Sequence, residues 1–170
     1  MFDDVGQLID LFNRTFAKFN TVLVAGDDEP IYLPAGAMSE QNQVIFAHGF
    51  FASALHEIAH WCLAGDERRT LEDYGYWYNG DGRDQQQQLE FEKVEVKPQA
   101  IEYAFALAAG REFQVSVDNL SGFQSNRHAF SKAVEQQYQA YLQTCFPPRA
   151  QLFIDALRQT VDSSLNEAAQ

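Results

Sequence analysis

Cysteines and basic residues are scarce in this chain of 170 residues. It has two cysteines, Cys62 and Cys145, and 12 lysines and arginines against 24 aspartates and glutamates, which gives a formal net charge of −12. A secreted scaffold held by disulfides needs more cysteines. Binding to nucleic acid needs clustered lysines and arginines to meet the phosphates. We therefore predict a cytoplasmic protein that does not bind nucleic acid.

Long apolar runs are also missing from the chain. No segment approaches the roughly 20 apolar residues that a membrane-spanning helix needs. The N-terminal stretch MFDDVGQLIDLF carries acid where a signal peptide carries base. These absences predict a protein with no membrane partner. The apolar share is nonetheless 46%, which is enough for a sizeable folded core rather than a disordered chain.

The order of the predicted elements indicates the fold class. A helical stripe of apolar residues covers residues 2–19, and the segments TVLVAG, IYLP and QVIFAH then favour strands. The later predicted elements are a helix ending near residue 64, an aromatic strand over 71–78, a helix over 85–110 interrupted or restarted at Pro98, and helices over 130–142 and 149–161. Strands first and helices afterwards predict a compact single α+β domain, with a small mixed sheet packed with helices. We expect this domain to cover residues 1–165 and a frayed tail to cover 166–170.

The segment HEIAHW, residues 56–61, carries two histidines four positions apart with a glutamate after the first. On a helix, His56 and His60 lie on one face one turn apart, so both imidazoles can reach one point while Glu57 projects beside it. The flanking residues are nearly all apolar, which predicts a buried helix whose three ionisable side chains need compensation. A bound metal ion supplies that compensation. The alternative is a pair of core histidines hydrogen-bonded to the backbone.

A catalytic metal needs a third protein ligand. The position six residues after His60 is Asp66, which lies in a segment typical of an exposed helix end. The stretch EFEKVEVKPQAIEY offers Glu92, Glu95 and Glu102 instead. Glu95 lies between two valines, which favours it as the third ligand, and Glu92, one turn away, is then expected to orient a ligand. The alternative is a solvated acidic helix face.

Two histidines and one carboxylate serve more than one class of reaction. With Zn²⁺ the set activates water and Glu57 acts as the base, as in a peptidase or nuclease. With Fe(II) the set leaves positions for O₂ and a substrate, as in oxygenases. Spacing alone favours a cytoplasmic metallopeptidase. A binding module with a structural metal is a third reading, but such sites are usually closed by cysteines, and Cys62 is predicted to point away from the histidines.

Four blocks of the chain resemble the elongation factor P hydroxylase family: GDDEPIYLPA, VIFAHGFFASALHEIAHWCLAG, DYGYWYNGDGRD and FEKVEVKPQA. The resemblance implies a non-haem iron hydroxylase that uses Fe(II), which zinc or another divalent metal can replace in purified protein, with O₂ as cosubstrate. It implies that the substrate is the lysine of elongation factor P that already carries a β-lysyl group. The implied metal ligands are His56, His60 and Glu95, with Glu57 at the position of the family's glutamate. The implied fold is like that of a bacterial metal-dependent ribonuclease.

A cationic modified lysine suits an acidic protein. Asp27 and Asp28 form an acidic turn after the first predicted strand, and Tyr32, Tyr76 and Tyr78 offer rings and hydroxyls to a long aminoacyl chain. We therefore predict that these residues contact the substrate. The alternatives are an ordinary solvated turn and an ordinary strand core.

Overall fold

The computed structural model describes residues 4–27, 29–36, 39–73, 81–117, 119 and 121–168. Within these ranges the helices are α1 (Val5–Thr15), α2 (Phe51–Leu63), α3 (Gln85–Ala108), α4 (Arg127–Gln143) and α5 (Pro148–Ala168). The strands are β1 (Thr21–Ala25), β2 (Ile31–Leu33) and β3 (Asn42–Phe46), and short 3₁₀ helices cover Ala17–Phe19 and Arg68–Thr70. None of the described helices is long and apolar enough to cross a membrane. The predicted α+β class is confirmed.

The three strands form one small mixed sheet with β3 at its centre. β3 pairs in parallel with β1 and antiparallel with β2. Leu23 of β1 and Val44 and Phe46 of β3 are buried and alternate with more exposed neighbours, since successive side chains of a strand point to opposite faces. These buried side chains join the core formed by the helices.

One hydrophobic core connects α1, the sheet, α2, α3 and α5. Its aromatic centre contains Phe12, Phe16, Trp61, Phe105 and Phe153. Several of the rings meet edge to face, with centroids 4.7 Å apart for Phe16 and Trp61 and 5.1 Å apart for Phe105 and Phe153, a favourable arrangement for aromatic pairs. α2 contacts β3, α3 and α5. α2, whose residues His56, Glu57 and His60 form an HExxH motif, is therefore the buried helix that its apolar sequence predicts.

Two arginines hold the C-terminal end of α2. The Arg149 Nη2 group donates to Cys62 O at 3.3 Å and to Ala64 O at 2.5 Å, and its guanidinium lies 4.3 Å from the centre of the Trp61 ring. Arg69 also donates to Ala64 O. Cations at this end satisfy the last carbonyls and interact favourably with the helix dipole. These contacts stabilise the helix that carries both histidines.

Three elements differ from the sequence-based expectation or extend beyond the described residues. α3 continues through Pro98 without a break, because the burial of this part of α3 outweighs the cost of about 3 kcal/mol for a proline inside a helix. α5 continues to Ala168, beyond the end of the predicted helix over 149–161, and the frayed tail over 166–170 stays a prediction. The predicted strand over 71–78 is described only as far as Asp73, whose backbone pairs with Tyr32 in an isolated bridge. The division into a single domain stays a prediction.

Candidate metal centre

Side chains of His56, His60 and Glu95 meet between α2 and α3. The Nε2 atoms of His56 and His60 are 3.0 Å apart. Glu95 is 1% exposed, and its Oε1 lies 3.1 Å from His60 Nε2 while its Oε2 lies 3.6 Å from His56 Nε2. One ligand atom from each residue lies within 4.8 Å of the others, so the three residues could hold a metal ion. The structure thus brings together the three ligands expected from the sequence.

The separations within this cluster suit a shared metal ion. Ligands about 2.1 Å from one ion lie about 3.0 Å apart at right angles and about 3.4 Å apart in a tetrahedron. The distances of 3.0 Å between His56 and His60 and 3.1 Å between His60 and Glu95 fall in that range. Glu95 Oε1 is buried and accepts no hydrogen bond from a described residue, although His60 Nε2 lies 3.1 Å from it. A buried carboxylate oxygen that accepts no hydrogen bond needs a cation beside it, so the cluster fits a metal ion.

Glu102 of α3 fixes the ring of His56. Its Oε2 accepts from His56 Nδ1 at 2.9 Å, so a neutral His56 presents the lone pair of Nε2 to the cluster. Glu92, which the sequence predicts to orient a ligand, has its Oε1 hydrogen-bonded to Gln88 Nε2 instead, at 3.1 Å. Glu102 lies two turns after Glu95, and the way α3 crosses α2 brings that turn against His56.

The charges of the cluster shift two pKa values in opposite directions. Burial by itself disfavours the charged form of His56, but the hydrogen bond and charge of Glu102, with the charges of Glu95 and Glu57, raise its pKa to about 10. Burial by itself disfavours ionised Glu95, but the two nearby imidazoles and the amide of Gln99 lower its pKa to about 2. Without metal, the cluster therefore pairs a positive imidazolium with an ionised carboxylate.

Metal binding is expected to release about one proton at neutral pH. The raised pKa of about 10 keeps His56 protonated until a metal takes Nε2. The apparent affinity for the metal should therefore increase about tenfold for each unit by which the pH is raised, up to about pH 10. Calorimetric titration in buffers of different ionisation enthalpy counts the released protons. In the metal-free protein, the raised pKa of His56 also contributes to the free energy of unfolding. This contribution is complete below pH 6.5 and is lost as the pH rises through about 10. Binding with no proton release would contradict the expectation.

Glu57 lines a small cavity beside His60. The cavity has a volume of about 30 Å³, and its other walls include Tyr32, Trp61 and Asp73. Such a volume holds one or two water molecules. Burial raises the pKa of Glu57, although the charges of His56 and His60 pull it down. A carboxyl group with a raised pKa is suited to take up and give off a proton.

The predicted substrate contacts are only partly described. Tyr32 lies at this cavity, where its hydroxyl donates to Arg69 O at 2.9 Å, and burial raises the pKa of its phenol against the nearby charge of Arg69. Asp27 is exposed at the turn after β1, and the residues described as lining the cavity do not include it. Three predicted contacts lie outside the described residues: Asp28, Tyr76 and Tyr78.

Gln99 and Glu102 also contact the cluster, although the sequence alone suggests no role for Gln99 and offers Glu102 only as a candidate ligand. Gln99 Nε2 donates to Glu95 Oε2 at 3.1 Å. A signal for both residues exists in the sequence, because polar side chains recur at helical spacing along one stripe of α3. The residues of that stripe are Gln88, Glu92, Glu95, Gln99 and Glu102, of which all but Glu92 are buried.

The fold and the cluster define a class, namely α+β proteins in which two histidines of an HExxH helix and a glutamate of another helix could hold one metal ion. The sequence model of the Elongation factor P hydroxylase family matches residues 11–170. The Elongation factor P lysine hydroxylase of Haemophilus influenzae is 51% identical over 152 residues, which cover 89% of this chain and 85% of that relative. The chain belongs to the elongation factor P hydroxylase family.

Proposed function

We propose that this protein hydroxylates a lysine side chain of elongation factor P, with Fe(II) held by His56, His60 and Glu95. Membership of the family supports the reaction and the substrate. The observation that carries the metal assignment is the buried carboxylate of Glu95, which lies beside both histidines and whose Oε1 accepts no hydrogen bond from a described residue. Two histidines and one carboxylate leave coordination positions open for O₂ and a substrate, as in non-haem iron oxygenases.

Each residue of the site has a separate task in this proposal. Iron, when bound, would supply the one-electron chemistry that lets O₂ react with a carbon–hydrogen bond. His56 and His60 supply the imidazole nitrogens, and Glu102 keeps the His56 ring in place. One oxygen atom enters the substrate and the other leaves as water, which consumes two protons and two electrons from a reductant. Glu57, which lines the cavity beside His60, would carry a proton.

The proposed target is the lysine that carries a β-lysyl group. That group adds positive charge to the side chain, and the protein carries a formal net charge of −12. The residues proposed to contact it are Asp27, Asp28, Tyr32, Tyr76 and Tyr78. Modification of a translation factor takes place in the cytoplasm, which is the proposed location. A likeness of the fold to a bacterial metal-dependent ribonuclease is also part of the proposal.

Mass spectrometry of elongation factor P tests the proposed reaction. After incubation with the protein, Fe(II), O₂ and a reductant, the peptide that contains the β-lysylated lysine should gain one oxygen atom. Factor that lacks the β-lysyl group should gain it at least about tenfold more slowly, because each lost charge–charge contact near a protein surface is worth on the order of a kcal/mol or more. Equal rates on both forms would remove the charge argument.

A zinc-dependent hydrolase is the second candidate function. The observation in its favour is Glu57 beside the two histidines, the arrangement with which HExxH peptidases activate water. Cleavage of the factor without a gain of oxygen would favour this candidate. A structural metal is disfavoured, because such sites are usually closed by thiolates. Cys62 is buried in the core, where burial raises the pKa of its thiol.

A further inference from the structure

The side chain of Gln99 lies between Glu95 and a segment without regular secondary structure over residues 113–117. Gln99 is 1% exposed. Its Oε1 accepts from Ser116 N at 3.0 Å, and its Nε2 donates to Ser116 O at 2.7 Å and to Glu95 Oε2 at 3.1 Å. The amide therefore connects the proposed metal carboxylate to a backbone segment outside α3.

The backbone of Ser116 fixes which end of the Gln99 amide faces Glu95. A backbone N–H can only donate and a backbone C=O can only accept. The paired contacts with Ser116 therefore set the oxygen of Gln99 against the N–H and the nitrogen against the C=O. The second hydrogen of that nitrogen is then directed at Glu95 Oε2. A rotation of the amide by 180° would break both contacts with Ser116.

The consequence is that the two oxygens of Glu95 are not equivalent. Oε2 is engaged by Gln99, whereas Oε1 lies 3.1 Å from His60 Nε2 and accepts no hydrogen bond from a described residue. A carboxylate can bind a metal through one oxygen or through both. Binding through both occupies one more coordination position, and an oxygenase site needs open positions for O₂ and substrate.

We propose that Gln99 is a positioning residue that engages Glu95 Oε2, so that Glu95 binds the metal through Oε1 alone. The inference rests on the proposed function in one respect, namely that Glu95 is a metal ligand. Gln99 itself touches neither the metal nor the substrate. Its effect is to keep a coordination position open, and the backbone of Ser116 holds it in the orientation that does so.

Gln88 provides a matched control on the same helix. It is 0% exposed and belongs to the same polar stripe. Its Nε2 donates to Val117 O at 3.2 Å, so it also connects α3 to the segment over residues 113–117. Among the described residues, its other side-chain hydrogen bonds are with Arg83 and Glu92 rather than with Glu95. Loss of Gln88 therefore reproduces the structural effect of losing a buried glutamine without touching the cluster.

The experiment compares Gln99→Met and Gln88→Met in the full chain with Co²⁺ as the probe. Methionine has a similar length and suits a helix interior. Absorption bands of bound Co²⁺ report its coordination number, and their titration gives the dissociation constant. We expect Gln99→Met to bind Co²⁺ about 10–100-fold more weakly, with weaker absorption bands that indicate an added ligand oxygen. Gln88→Met should lower the unfolding temperature and keep the Co²⁺ spectrum and affinity of the wild type.

The outcomes separate this inference from the metal centre itself. A wild-type spectrum and affinity in Gln99→Met, or equal changes in both variants, would overturn the positioning role while the metal centre stands. Failure of the wild-type protein to bind one equivalent of Co²⁺ would overturn both. If Gln99→Met does not fold, Gln99→Leu decides the question. It also removes the donor to Glu95 without adding a charge or a new donor beside the carboxylate, so the spectrum should change in the same way.

Discussion

Glu95→Gln is expected to reduce the affinity for Fe(II) by at least about 100-fold under anaerobic conditions. The substitution keeps the size of the side chain but replaces the anionic oxygen beside the two histidines with an amide. The pKa of about 2 means that Glu95 is ionised at every working pH, so a full charge is lost. Substitution of a residue that only orients a ligand typically lowers metal affinity about 10–100-fold, and substitution of a ligand itself should lower it more. Elemental analysis of protein purified without oxygen measures the loss.

Glu92→Gln and Asp66→Asn are the matched controls for this variant. Glu92 lies on the same helix one turn before Glu95, but its carboxylate accepts from Gln88. The side chain of Asp66 is 97% exposed and pairs with Arg69. Both control variants should bind iron like the wild type. Loss of iron in Asp66→Asn would move the third ligand to the end of α2. If Glu92→Gln lost as much iron as Glu95→Gln, the assignment of Glu95 as the ligand from α3 would be wrong.

Glu57→Gln is expected to keep its iron and to lose about 10²–10⁴-fold in hydroxylation rate, the usual contribution of a positioned acid or base. Glu57 lies beside His60 at the cavity, and burial raises the pKa of its carboxyl group. Glutamine fills the same space but cannot carry a proton. The rate of oxygen gain by elongation factor P, measured with the iron content of the same preparation, separates the two effects.

Two results for Glu57→Gln would contradict the assigned role. A rate equal to that of the wild type would mean that another group carries the proton. Loss of iron together with activity would mean that Glu57 supports the metal centre rather than the chemistry. Glu67→Gln is a suitable control, because Glu67 is exposed just beyond the end of α2 and its substitution should change neither quantity.

The histidine pair could be predicted from local spacing because the geometry of a helix is local. Four-residue spacing puts His56 and His60 on one face of α2 in any fold, and the apolar neighbours predict the burial that α2 has. The prediction of Glu95 relied on the valines beside it, yet Val94 is 41% exposed. Consecutive residues on a helix point about 100° apart. Two apolar neighbours in sequence therefore do not show that the residue between them is buried. The periodic polar stripe of α3 is the sounder signal.

The residues that support the cluster could not be predicted from spacing alone. Glu92 and Glu102 both lie on the stripe that includes Glu95, and only the crossing of α3 over α2 decides which of them meets His56. The bond from Gln99 to Ser116 joins α3 to a segment with no regular structure. The pairing of the strands could not be predicted either. Period-two patterns locate β1 and β3 but do not show that the two strands pair in parallel.

Reconstitution with different metals tests the central claim most directly. Protein prepared without oxygen is loaded with one equivalent of either Fe(II) or Zn²⁺, and O₂, a reductant and β-lysylated elongation factor P are then added. We predict a one-oxygen gain on the modified lysine peptide with Fe(II), none with Zn²⁺, and none with Fe(II) in a His60→Ala variant. Full activity with Zn²⁺ and none with Fe(II) would contradict the proposal of an iron hydroxylase at His56, His60 and Glu95.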